Sequence, residues 1–164
     1  MRLLIIRHGK AEDRSPKRKD ASRRLTGAGR KAMRKAASGL REVAPGIDLL
    51  ATSPLTRARE TAEIVAETLG VVRIVEQKLL APGGDKRALI AWLRRKPSRS
   101  TVALVGHEPD LSALASLLAS GGERARIALK KGACCLIEFN HAPAAGKGMI
   151  LWLLQPGQLR RIGA

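Results

Sequence analysis

The sequence predicts an α/β fold: a single-domain, mostly parallel sheet with helices on both faces and an antiparallel hairpin at the C-terminal end. Three observations carry this expectation. Short apolar runs recur along the chain (LLII at 3–6, IDLLA at 47–51, TVALV at 101–105), each suited to a strand buried on both sides. Between them lie stretches with apolar residues at helical spacing, so that strand and helix alternate for most of the length. The chain has 164 residues, enough to bury one core and too few for two, so residues 1–164 are expected to form one unit.

The elements follow in order. Residues 3–6 give the first strand, and the chain turns polar immediately after it. Residues 10–24 are basic and turn-prone, contain Pro16, and show no apolar period before Leu25, which predicts a solvated loop. Thr26 then offers an N-cap to a helix over 27–43, whose apolar positions are Ala32, Met33, Ala36, Ala37, Leu40 and Val43, with Pro45-Gly46 as its stop. Residues 47–51 form a second strand. Ser53-Pro54 reads as N-cap and first position of a helix running to Leu69, closed by Gly70. The β-branched stretch 71–75 (VVRIV) predicts a third strand, Pro82-Gly83-Gly84 a loop, and Asp85 the cap of a helix through Leu93. Residues 101–105 give a fourth buried strand, 106–109 a turn, and Asp110 to Ala119 an apolar helix ended by Gly121-Gly122. Residues 133–139 and 149–154 predict a closing hairpin joined through Pro143 to Gly148.

Composition narrows the function classes. Lys plus Arg is 31 and Asp plus Glu is 14, a formal charge of +17, yet 45% of the chain is hydrophobic, which excludes a disordered basic tail. The aromatic residues are Phe139, Trp92 and Trp152, with no Tyr, so no platform for stacking successive bases can be assembled. Cys134 and Cys135 are adjacent, which fits neither a disulfide framework nor the spaced pairs of a zinc site, and they read as reduced and structural. The opening apolar run is four residues long, too short for a signal-peptide core or a membrane span, and a cytoplasmic location is expected.

Three strands are followed by residues with chemistry: Arg7-His8-Gly9, Ser53-Pro54 with Arg57, and Gly106-His107. All lie where open α/β sheets bind ligands, beyond the carboxyl ends of the strands. A neutral imidazole at His8 can attack phosphorus and carry a phosphoryl group, and Arg7 supplies a fork of donors matching phosphate or carboxylate. Gly9 is expected to take a left-handed turn and let a ligand approach the backbone. Arg57 falls in the first turn of its helix, where free N–H groups and the dipole favour an anion. A cationic His107 would add a donor and a charge to the same anion. Each histidine also admits a purely structural reading, as an interior or capping residue. Arg59 reads as a solvated charge, and His141 has no role.

Five blocks in order, LLIIRHGKAE at 3–12, RRLTGAGRKA at 23–32, ATSPLTRARETAEIV at 51–65, LLAPGGD at 79–85 and LVGHEPDLS at 104–112, resemble the histidine phosphatase superfamily and, within it, the short phosphohistidine phosphatases of the SixA type. The resemblance implies a phosphoglycerate mutase-like sheet, His8 as the phosphoryl-accepting nucleophile, and Arg7, Arg57 and His107 as the phosphate-holding residues. It implies no metal and no cofactor. The larger members place a glutamate as proton donor in a segment this short chain lacks; Asp85 and Glu12 are the candidates here, each equally readable as a helix cap or a surface charge. A missing strong acid would suit a phosphoramidate or phosphoanhydride, whose leaving group needs less help than an alkoxide, over a sugar phosphate. The expected substrate is a phosphohistidine in a protein of the histidine-containing phosphotransfer type. A small phosphorylated metabolite or short polyphosphate, concentrated by the positive surface, is the second reading. Clusters such as Lys17-Arg18-Lys19 and Arg94-Arg95-Lys96 suggest the third, a basic nucleic-acid-binding protein.

Overall fold

In the computed structural model, which describes residues 1–164, six strands form one sheet: β1 (Arg2–Arg7), β2 (Leu49–Thr52), β3 (Ile74–Glu76), β4 (Thr101–Gly106), β5 (Cys134–Glu138) and β6 (Met149–Leu154). Their order is β3-β2-β4-β1-β5-β6. The first four are mutually parallel, while β5 runs antiparallel to both β1 and β6. Five helices flank the sheet: α1 (Gly27–Val43), α2 (Thr56–Leu69), α3 (Lys86–Arg94), α4 (Asp110–Ser120) and α5 (Pro156–Ile162).

The pleat of β1 explains why helices cover both faces. Leu3 and Ile5 point into a core completed by Leu89 and Leu93 of α3 and Leu114 and Leu118 of α4. Leu4 and Ile6 point the other way, onto Met33 and Leu40 of α1, Val65 of α2 and Leu159 of α5. All four β1 side chains are fully buried, each contributing about 1.5–3 kcal/mol of transfer free energy. That is why the run at 3–6 is continuous rather than alternating. Cys134 and Cys135 are free thiols and follow the same rule, one on each face. Burial pushes the Cys135 thiol up to about 12. No helix is long and apolar enough to cross a membrane.

Four local expectations are corrected or refined. The helix expected from Ser53-Pro54 begins at Thr56, because Ser53 is wholly buried and its Oγ accepts from Leu55 N at 3.3 Å. The third strand is Ile74–Glu76, and Val72 is 98% exposed; this is an edge strand, paired only with β2. The 10–24 segment is exposed over most of its length but is tied down, with Ala11 bridged to Leu25 and Arg57 donating to the Asp20 carbonyl at 2.9 Å. Helix α5 was not expected, and its reciprocal capping by Gln155 and Gln158 seats Leu159 in the core.

Candidate active site

Arg7 is the last residue of β1 and pairs with Gly106, the last of β4, so His8 and His107 leave adjacent strand ends at one level. Their ring centroids lie 5.0 Å apart. Thr52 ends β2 beside Val105 of β4, and four residues later α2 begins, placing Arg57 in its first turn. Register alone therefore brings three sequence-distant segments to one spot.

His8 is 7% exposed. Its Nδ1 lies 2.7 Å from the carbonyl of Gly9. A carbonyl only accepts, so Nδ1 carries the proton and Nε2 keeps the lone pair of the neutral ring. That Nε2 accepts from Arg57 Nε at 3.4 Å. Burial, then the charges of Arg57 and Arg7 beside the second imidazole, lower His8 to about 3, against a rise from the Gly9 bond. The imidazole is thus unprotonated and oriented at neutral pH, with the Nε2 lone pair available for the kind of attack a neutral imidazole can make.

Gly9 departs from expectation. Its φ is not positive; it is buried, and a Cβ there would lie 3.3 Å from Leu25 Cδ2, so its lack of a side chain serves packing rather than a left-handed turn. Its N–H donates to Thr61 Oγ1 at 3.1 Å, whose own hydroxyl donates to the Arg57 carbonyl at 2.7 Å. The His8 loop and the Arg57 turn are stitched together by that threonine.

Arg57 spreads its donors. NH1 donates to the Asp20 carbonyl at 2.9 Å and NH2 to Asp20 Oδ2 at 3.1 Å. Arg23 Nε reaches Asp20 Oδ1 at 2.9 Å. Burial opposes ionisation of Asp20, but the Arg57 and Arg23 guanidiniums outweigh it and hold the carboxyl below its ordinary range. Arg7 NH1 donates to the Leu129 carbonyl at 2.7 Å, and His107 Nε2 lies 2.8 Å from Ser53 Oγ. Burial, then Arg57, lowers His107 to about 4. At pH 7 His107 is therefore neutral, not cationic as expected, because burial and the positive charges of Arg57, Arg23 and Arg7 outweigh the opposing pull of Asp20.

These four residues share a cavity of about 230 Å³. Two buried side-chain polar atoms of the whole protein have no hydrogen-bond partner, Arg7 Nε and His107 Nδ1, and both belong to residues lining it. An unmet buried donor costs about 1–3 kcal/mol. The cavity is also lined by Asp20, Arg23, Glu108 and Lys131; Arg23 and Glu108 fall within two of the five blocks but carried no assigned role, and Asp20 and Lys131 lie outside them. Sequence offered one signal, the position of Glu108 directly after His107.

Neither candidate proton donor lies in the cavity. Asp85 is exposed and caps α3, accepting from Arg87 N at 2.8 Å and Ala88 N at 3.1 Å. Glu12 accepts from Arg24 N at 3.0 Å and pairs with Arg18, contacts that lower its carboxyl, Arg24 first. Both carboxylates are spent on structure. Arg59 and His141 are exposed, away from the site, as expected.

Residues 3–81 match the model of the histidine phosphatase superfamily, branch 1. An uncharacterized protein of Picosynechococcus sp. (strain PCC 7002) is 40% identical over 134 residues, 80% of this chain and 81% of its own length. Among solved structures, the protein histidine phosphatase SixA complexed with tungstate superposes with a TM-score of 0.85 at 25% identity, covering 97% of this chain and 99% of that one. A mycobacterial glucosyl-3-phosphoglycerate phosphatase bound to VO3 shares the fold, with a TM-score of 0.69 at 18% identity over 92% and 97% of the two chains. With the five sequence blocks distributed around one cavity in a fold matched this closely, the chain belongs to the histidine phosphatase superfamily.

Proposed function

We propose that the protein is a metal-independent phosphatase working through a covalent phosphohistidine on His8, with a phosphorylated protein histidine as its preferred substrate. The observation that carries the mechanism is the fixed tautomer of His8. The Gly9 carbonyl holds the proton on Nδ1, and the lone pair of Nε2 faces the cavity wall formed by Arg57. Substrate phosphate takes the place beside that lone pair, with its oxygens met by Arg7, Arg57 and His107. Nε2 attacks phosphorus, the bond to the leaving group breaks, and water later cleaves the P–N bond. Negative charge on the equatorial oxygens is balanced by arginines that need no reorganisation during the reaction.

The substrate reading rests on access. The rim is the 10–24 segment, whose longest regular piece is the three-residue 3₁₀ turn Asp20–Ser22 and whose Arg14 is 84% exposed. Such a rim suits a histidine presented on another protein's surface better than a small molecule that must be enclosed. Similarity to the protein histidine phosphatase SixA supports the same substrate class. A second reading, a small phosphorylated metabolite or short polyphosphate, draws on Arg14, Arg18 and Arg23, which line a hollow contiguous with the cavity and suit a second anionic group. One panel separates them: a phosphohistidine protein, tripolyphosphate, sugar phosphates and p-nitrophenyl phosphate, all with chelator present. Preference in kcat/KM for the phosphoprotein supports the first reading, and preference for tripolyphosphate or a sugar phosphate overturns it.

A further inference from the structure

Both steps of a phosphohistidine pathway move a proton, and the two carboxylates proposed from sequence are engaged elsewhere. Two others line the cavity, Asp20 and Glu108. Asp20 is bonded to Arg23 and Arg57 and lies 3.4 Å from Arg14, so it is held ionised and its lone pairs are occupied by guanidinium. Glu108 is placed differently. It follows His107 at the end of β4, is half-buried, and forms no ion pair. Its Oε1 accepts from Ser112 N at 3.0 Å in the first turn of α4. That single bond fixes the carboxyl against the helix and leaves Oε2 without a protein partner.

We infer that Glu108 is the acid–base group of this site, the second oxygen of its carboxyl exchanging the protons of both steps. The inference rests on the phosphohistidine reading of His8. In the first step His8 Nε2 forms a bond to phosphorus, the bond from phosphorus to the leaving atom breaks, its electron pair stays on that atom, and the Glu108 carboxyl protonates it. In the second step a water oxygen attacks phosphorus while the Glu108 carboxylate takes the water's proton. The P–N bond breaks, its electron pair returns to Nε2, and the carboxyl is restored. Substrate and water are consumed; the protonated leaving group and phosphate are released. A donor in this place also removes the ground on which phosphoramidate and phosphoanhydride bonds were favoured over sugar phosphates.

The test is Glu108→Gln, which keeps an acceptor for Ser112 N and so keeps the cap of α4. Its first-turnover rate is compared with wild type over a series of substituted phenyl phosphates from nitrophenyl to unsubstituted phenyl. With an acid in place, the rate of the wild-type chemical step depends weakly on the leaving group. The variant should lose about 10²–10⁴-fold with phenyl phosphate, the range for a general acid, and far less in the first turnover of p-nitrophenyl phosphate. In that reaction it should release a burst of nitrophenolate and accumulate acid-labile, alkali-stable phosphate on the protein, because hydrolysis has lost its base. A loss equal across the series, no loss at all, or a wild-type slope as steep as the variant's would each overturn the assignment. Absence of labile phosphate on wild type under rapid quench would instead overturn the reading of His8, so the two failures are distinguishable. Unchanged thermal unfolding of Glu108→Gln confirms that the loss is not one of folding.

Discussion

Arg57 Nε donates to His8 Nε2 across 3.4 Å, so the lone pair of the proposed nucleophile faces a guanidinium. The contact orients the imidazole, and it means that an incoming phosphoryl group has to seat itself between these two residues. The nucleophile and its principal cation are thus a matched pair held by different elements, the end of β1 and the first turn of α2.

Replacing His8 by Ala should abolish turnover with the fold intact, since no other unprotonated nitrogen occupies that place. Far-UV and near-UV spectra should match wild type, and rapid quench of wild type with substrate should trap phosphate stable to alkali and labile to acid. More than a trace of turnover by His8→Ala on a clean substrate would defeat the covalent mechanism.

Arg57→Lys keeps a charge and loses the planar fork that reaches Asp20 and His8 together. A fall of about 10 to 100-fold in kcat/KM is expected, with Arg57→Ala worse. Equal activity of the lysine variant would show that charge alone suffices at this position.

Stability should fall with acidity in a defined window. Burial first, with the neighbouring arginines, lowers His8 to about 3 and His107 to about 4 from 6.5. Between pH 6.5 and 4 the unfolded chain therefore binds protons that the native chain refuses, and stability present above 6.5 is lost on descent through that interval. Urea melts at pH 7 and pH 5 should differ by more in wild type than in His8→Ala/His107→Gln. Identical differences would show that other groups set the acid response. For the same reason the acid limb of kcat/KM should lie well below 6.5.

Glu60 anchors the rim. Its buried carboxylate accepts from Leu25 N at 2.7 Å, Arg24 Nε at 3.0 Å and Arg30 NH2 at 2.5 Å. Glu60→Ala leaves a buried N–H and a half-buried guanidinium unmet, a loss of about 1–3 kcal/mol, seen as a lower urea midpoint. Activity should drop with it, because residue 25 is where the 10–24 segment rejoins the core. A midpoint within error of wild type would refute the anchoring role.

Chelation should leave the rate unchanged. The cavity presents arginine and lysine side chains that repel a divalent cation, and of its two carboxylates, Asp20 and Glu108, the first is paired with Arg57. Recovery of a chelator-sensitive rate by one added metal would contradict this.

Much of this architecture was legible because it rests on short-range chemistry. The run at 3–6 and the Thr26 cap, whose Oγ1 accepts from Gly29 N at 2.9 Å, are properties of neighbouring residues. So was the clustering of His8, Arg57 and His107, since parallel strands deliver their ends to one edge. What escaped detection depends on contacts across the fold. Asp20 joins the site through a partner 37 positions away. Helix α5 has seven residues and one fully buried side chain, Leu159, too little for a periodic signal, and exists because its backbone packs on Gly39 of α1, where a Cβ would come 1.8 Å from the Leu159 carbonyl. The neutrality of His107 is likewise a product of burial, which sequence does not display.

The pairing of Arg7 with Gly106 gives the two imidazoles their separation. Adjacent strands lie about 4.8 Å apart, and the ring centroids repeat that interval at 5.0 Å, secured by the His8 amide donating to the Gly106 carbonyl at 3.2 Å. Main chain, not side-chain packing, sets the gauge of the phosphate grip. Substitution along the rim can therefore leave the spacing of the two imidazoles unchanged.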